Sequence, residues 1–207
     1  MGCGHGNFAH SMFGFGAAYI LGIDYGEESI KYANKTLSEF RIPDNCIQFR
    51  VESVYDVQEP DDSFDFAVQN GVFHHLDDEN KAYKEMFRLL KSGGKAWIYT
   101  EGEGSIARDL FHVSVQILSD IPPEIVQENL RHLGFTINKR YHLGDGLSAV
   151  YRATSYAELI GRLDKIGFSG FERMLGGMDT DLDILNDDPW AKEKFGEGDI
   201  RILMKKT

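Results

Sequence analysis

Gly2-Cys3-Gly4-His5-Gly6 opens the chain, and Gly22-Ile23-Asp24 follows it. Three glycines at alternate positions let the backbone turn sharply and bring its N–H groups close to a ligand. No Cβ blocks the approach, and positive φ carries no steric cost. Such a loop joins the C-terminal end of a buried strand to a helix N-terminus, a place that favours a polar or anionic ligand. Ala17 to Ile23 reads as a buried strand that ends in Asp24. An acid at the tip of the second strand is where an α/β nucleotide fold holds ribose hydroxyls.

The loop spacing is G-x-G-x-G, and Asn7 stands where a dinucleotide fingerprint wants its third glycine. Ser63-Phe64-Asp65, Asn70-Gly71-Val72-Phe73-His74-His75-Leu76 and Leu90-Lys91-Ser92-Gly93-Gly94 follow in order. Taken together, these stretches resemble the class I S-adenosylmethionine-dependent methyltransferases of small-molecule type. The resemblance covers roughly residues 1–100, with a weaker match at the C-terminus. It implies an α/β fold: a three-layer, doubly wound, mostly parallel Rossmann-like sheet in the order 3-2-1-4-5-7-6, its last strand antiparallel. In that family an apolar strand ending in an acid runs into the glycine loop, whereas here Met1 precedes it. The expectation is a sheet whose first strand is missing, from an incomplete gene product or a misplaced start.

The resemblance also implies S-adenosylmethionine as cofactor. Gly2, Cys3, Gly4, His5 and Gly6 would admit its methionine part, Asp24 with Tyr25 the ribose, and Ser53 with Val54 the adenine. Asn70 and Gly71 would lie beside it. The family commonly has an acid where Ser53 stands, and a hydroxyl is a weaker acceptor than a carboxylate. The alternative is that Ser53 is only a turn residue. Adjacent His74 and His75 cannot both face a site, so at least one packs. A neutral imidazole titrates near working pH, which leaves His75 as a candidate base. No catalytic residue is assigned, because the sulfonium already makes the methyl an electrophile and the protein mainly positions the acceptor. The function implied is methyl transfer to a small molecule. The alternative is a truncated or non-catalytic protein of the same fold. A nicotinamide-dependent dehydrogenase is disfavoured by Asn7.

Composition narrows the partners. The 207 residues carry a formal charge of −11, with no run of Lys or Arg. A nucleic-acid binder should show a basic footprint, so the acceptor is expected to be neither DNA nor RNA. Two cysteines, one inside the ligand loop, make no disulfide framework. No His/Cys cluster suggests a metal. The acidic stretch Asp179 to Asp183 lacks the calcium pattern, having Ile184 and Trp190 where Gly and Glu are needed. Apolar runs fall well short of a membrane span. A cytoplasmic protein is the default expectation, with the oligomeric state open.

Taken in order, Glu27 to Phe40 reads as a helix with Ile30, Ala33, Leu37 and Phe40 inward. Ile47, Phe49 and Val51 alternate as a strand, and Phe64 to Val68 is the next. Lys81 to Leu90 reads as a helix capped by Ser92-Gly93-Gly94, followed by a strand over Lys95 to Thr100. Residues 101–154 interrupt the core pattern and read as a substrate lid, or else as packing decoration on the sheet edge. They hold one amphipathic helix (Ile106, Leu110, Val113, Ile117) and a second from Pro122-Pro123 with Ile125, Leu130 and Leu133 apolar. Then comes a segment with Arg140, Tyr141, His142, Tyr151 and Arg152. Ser155 to Glu158 is a capping box opening a helix, and Phe171 to Leu175 and Asp199 to Met204 form a closing hairpin. The whole is one domain, 1–207, with its core in 1–100 and 155–207.

Overall fold

The computed structural model describes residues 1–207 except 44, 105, 175–189, 191–193 and 195. Asp179 to Asp183 therefore lie outside the described residues. Two sheets form among the described residues where one continuous sheet is expected. In the first, β1 (Ile20–Asp24) pairs in parallel with β2 (Ile47–Val51), Asp24 opposite Val51. The second has the order β3 (Phe64–Asn70), β4 (Leu90–Glu101), β6 (Asp199–Lys206), β5 (Phe168–Arg173). β3 runs parallel to β4, and β6 runs antiparallel to both β4 and β5. This is the order expected from the resemblance, with a break between β1 and β3 where the family's first strand would lie.

Helices cover the sheets because their apolar stripes match the strand faces. α1 (Asn7–Gly14) and α2 (Glu27–Phe40) pack with β1 and β2 around a core of Ala9, Ile30, Ala33, Leu37, Ile47 and Phe49. Phe40 does not join them; it is exposed at the end of α2. α3 (Glu79–Leu89) and α7 (Tyr156–Ile166) build a second core against β3–β6, with Tyr83, Met86, Leu159 and Leu163 fully buried. Side chains cap two helix starts, one at the expected Ser155 and one at Asp78; α3 begins at Glu79 rather than at Lys81. Asp78 Oδ1 accepts from Lys81 N at 2.9 Å, and Ser155 Oγ accepts from Glu158 N at 3.2 Å.

Gly93 and Gly94 do not cap α3. That helix ends at Leu89, and Leu90 is already extended. β4 starts there, and its register jumps from Phe64–Leu90 to Phe66–Lys95. The Ser-Gly-Gly run is a bulge inside β4, where Gly93 takes φ 77°. The closing hairpin strand also lies earlier than expected, over Phe168–Arg173.

Between β4 and α7 stand, among the described residues, α4 (Ile106–Leu118), α5 (Pro123–His132) and α6 (Ile137–Ser148). The amphipathic stripe Ile106, Leu110, Val113, Ile117 is exposed, as are Ile125 and Leu133. The buried residue of α5 is Val126. α6 contains Arg140, Tyr141 and His142 of the aromatic segment as a regular helix, and Tyr151 and Arg152 follow it. Its Gly146 lets Phe111 and Val115 of α4 approach where a Cβ would overlap them.

Candidate active site

The glycine loop has the backbone its composition demands. Gly2, Gly4 and Gly6 all lie in the left-handed region, at φ 69°, 50° and 84°. A Cβ on Gly2 would sit 2.5 Å from Val72, whereas one on Gly4 would meet open space. Gly4 is thus where the loop admits a ligand. Three bonds set the turn. Cys3 N donates to Ile23 O at 2.8 Å, Gly6 N to Cys3 O at 2.9 Å, and Gly4 N to Asp24 Oδ2 at 2.8 Å. The other Asp24 oxygen accepts from Gly26 N at 2.9 Å. Gly6 begins α1 without a side-chain cap, and no acid occupies the first turn. The positive end of that helix is left for an external polar or anionic group.

A cavity of about 420 Å³ runs from this loop down between β1 and β3. Gly2, Cys3, Gly4, His5 and Asn70 line it, together with Met1, Leu21, Gly22 and Val68. Asp24 stands beside it through its bond to Gly4. The remaining expected residues are spread along the same strand ends without lining the cavity. Tyr25 is exposed, Gly71 lies under the Tyr99 ring, and Val54 is turned into the core. The hydroxyl of Ser53 accepts from Tyr55 N at 3.2 Å, a turn bond of its own. Burial pushes the Cys3 thiol up to about 11, so it stays protonated and is no nucleophile.

Sequence reasoning missed Gln69, which organises the loop after β3. Fully buried, it donates through Nε2 to Tyr99 O at 2.8 Å and accepts from Val72 N at 3.0 Å and Phe73 N at 3.3 Å. The available signal was an amide, Gln69, directly after the apolar run Phe66-Ala67-Val68 and before Asn70. Its bonds fix the 3₁₀ turn Phe73–His75. The two histidines then part company. His74 is buried beside Thr100, its Nδ1 3.4 Å from the hydroxyl. Burial, followed by the charges of His75 and Arg108, holds its pKa down at about 3. It is a neutral packing residue. His75 is less buried, and its Nδ1 lies 2.8 Å from Val150 O. A carbonyl can only accept, so Nδ1 carries a proton and Nε2 is the nitrogen turned away from that bond.

Residues following α6 close over this turn. Arg152 N donates to His74 O at 3.0 Å, and its guanidinium donates to Leu76 O. Tyr151 lies edge-on to His75 with ring centroids 4.4 Å apart. Arg108 of α4 pairs with Glu101 at the end of β4. The helical segment is therefore tied to the end of β4 through Arg108, and residues 150–152 that follow it tie to the histidine turn.

Residues 1–98 match the family model described as Methyltransferase domain. Over that stretch, just under half of the 207 residues, the chain is similar to methyltransferases. Human mitochondrial ubiquinone biosynthesis O-methyltransferase is 32% identical over 124 residues, covering 59% of this chain and 33% of that protein. The chain thus spans about a third of that curated relative. Among solved structures, an S-adenosylmethionine-dependent methyltransferase from Mesorhizobium loti superposes with a TM-score of 0.61 at 20% identity, covering 99% of this chain and 88% of that one. The cyclase SpnF superposes with a TM-score of 0.63 at 16% identity, covering 99% and 73%. The fold is shared with an enzyme titled for a different reaction, so the chemistry has to be argued from the site. Open space at Gly4, the uncapped start of α1 and the carboxylate of Asp24 suit S-adenosylmethionine, whose carboxylate, ribose and sulfonium need those features. Among the described residues no group of His, Cys, Asp or Glu could hold a metal ion, and no helix is long and apolar enough to cross a membrane.

Proposed function

We propose that this chain transfers a methyl group from S-adenosylmethionine to an oxygen of a small-molecule acceptor. The observation that carries the reading is the joint placement of the left-handed glycine loop and the Asp24 carboxylate, tied together through Gly4 N. When bound, the cofactor supplies an electrophilic methyl on a sulfonium. In this reading Gly2, Cys3, Gly4, His5 and Gly6 hold the methionine part, Asp24 and Tyr25 the ribose, Ser53 and Val54 the adenine, and Asn70 and Gly71 the near side. The second lone pairs of the Asp24 carboxylate remain for the ribose hydroxyls. An oxygen acceptor accords with the relative's name and with the Nδ1 bond of His75. A hydroxyl must lose its proton as it is methylated, and Nε2 of His75 is the group assigned to take it. The α4–α6 segment would cover the acceptor.

Calorimetric titration with S-adenosylmethionine tests the first half, with saturable binding expected and Gly4→Val weakening it at least tenfold. Turnover of a panel of phenols and alcohols against amines tests the second. His75→Gln should lower kcat while leaving cofactor affinity unchanged. Absence of binding at millimolar cofactor would end the reading. Methylation of amines alone would remove His75 from its assigned role.

A further inference from the structure

α4 has two apolar faces, and the fold uses one. Phe111 and Val115 pack against Gly146 of α6. Ile106, Leu110, Val113 and Ile117 look outward, 48%, 63%, 49% and 72% exposed. Their spacing of four, three and four residues is a narrow seam with heptad repeat, the pattern by which one helix receives another. We propose that this seam is where a second copy of the chain docks, α4 against α4 in antiparallel fashion about a two-fold axis. That arrangement sets Leu110 across from Val113 of the second copy and Ile106 across from Ile117. The same four residues then cover one another, as an isologous contact requires.

Charge selects a second copy over other occupants. The chain carries −11, yet residues 106–152 hold five Lys or Arg and five Asp or Glu. The excess negative charge lies elsewhere, so two copies repel over the rest of their surfaces and not here. A lipid surface is a poorer fit. Interfacial helices carry Lys and Arg along the polar face, whereas Arg108, the one Lys or Arg in the sequence of α4, is paired with Glu101. Asp109 and Gln116 flank the seam instead.

Sedimentation equilibrium of the full chain over a hundredfold concentration range tests the proposal. The mass should rise from one chain of 23.4 kDa towards two. Leu110→Glu and Val113→Lys should each leave a single-chain mass, with self-association weakened at least tenfold and the far-ultraviolet circular dichroism unchanged. Mixing those two variants should restore association. The carboxylate introduced at position 110 of one copy then faces the ammonium introduced at position 113 of the other, while the remaining pairs across the seam stay apolar. A single-chain mass at every concentration, a dimer indifferent to Leu110→Glu, or binding to phosphatidylcholine vesicles abolished by Leu110→Glu without self-association would each overturn it.

Discussion

The carboxylate of Asp24 accepts a hydrogen bond from the backbone N–H of Gly4 across 2.8 Å. The acid at the end of β1 therefore shapes the glycine loop before any ligand arrives, and its second oxygen fixes Gly26 at the start of α2. Hydrogen bonds to a charged group contribute ~1.5–3 kcal/mol each.

Asp24→Ala should accordingly destabilise the cofactor-free protein by ~2–4 kcal/mol as well as weaken cofactor binding. Asp24→Asn, which keeps one acceptor oxygen, should recover part of the stability. Urea unfolding without cofactor makes the comparison. An Asp24→Ala protein as stable as its parent would show that the bond to Gly4 contributes nothing.

His74 should make stability depend on pH. Its ordinary pKa of 6.5 is held at about 3 in the folded protein. Below 6.5 the unfolded chain takes up a proton that the folded chain refuses. The stabilisation is thus complete above 6.5 and is lost as pH falls towards 3, by up to ~1.4 kcal/mol per unit. Unfolding midpoints between pH 7.5 and about pH 5.5, before most carboxylates titrate, should slope accordingly. His74→Gln should flatten that slope whatever it does to absolute stability. An unchanged slope would mean that water or an unfolding fluctuation already reaches the ring.

Tyr83 offers a test in the opposite direction. The residue is fully buried against Phe73, ring centroids 5.0 Å apart, and its hydroxyl has no hydrogen-bond partner among the described residues. Burial holds its pKa well above the usual phenol range. An unpaired buried hydroxyl costs ~1–3 kcal/mol. Tyr83→Phe should leave the protein as stable or raise stability by ~1 kcal/mol. A clear loss in thermal unfolding would point to a partner for the hydroxyl.

Much of this was legible in the residues. α2 begins and ends where its Ile30, Ala33, Leu37 spacing and flanking Gly26 place it, because one buried stripe on one sheet leaves little choice. The glycine loop was readable because left-handed φ at alternate positions demands glycine. The failures have physical reasons. Gly93 looked like a helix cap, yet the same left-handed preference serves a bulge, and only strand pairing decides between them. The helix α6 was not read from the sequence at all; Gly144 and Gly146 sit inside it where Gln127, Phe111 and Val115 come too close for a side chain. The seam on α4 was visible as periodicity, which states that a face is apolar without saying which way it points. Ser53 and Gln69 could not be sorted from sequence. Each sits beside another polar residue near a strand end, Glu52 and Asn70 respectively, and only their bonding partners show that Gln69 orders the loop while Ser53 bonds within its own turn.

Among the described residues no ladder of backbone bonds crosses from β1 to β3, and the core under α1 and α2 is separate from that of β3–β6, which only Ile23 and Leu21 of β1 join. Met1 N reaches Val68 O at 2.8 Å, Cys3 N reaches Ile23 O, and Phe8 stacks on Trp97 across the break. Cooperative units in a protein are set by such contact density. Amides of β1, α2 and β2 should therefore exchange with solvent through an opening of lower free energy than those of β4 and β6. Native-state hydrogen exchange would resolve two isotherms, and one common isotherm would refute the division. Gly4 and Asp24 belong to the smaller unit and Asn70 to the larger. A ligand seated between them would act as a clasp, slowing exchange in the smaller unit most, so that occupancy could be read from motion far from the site.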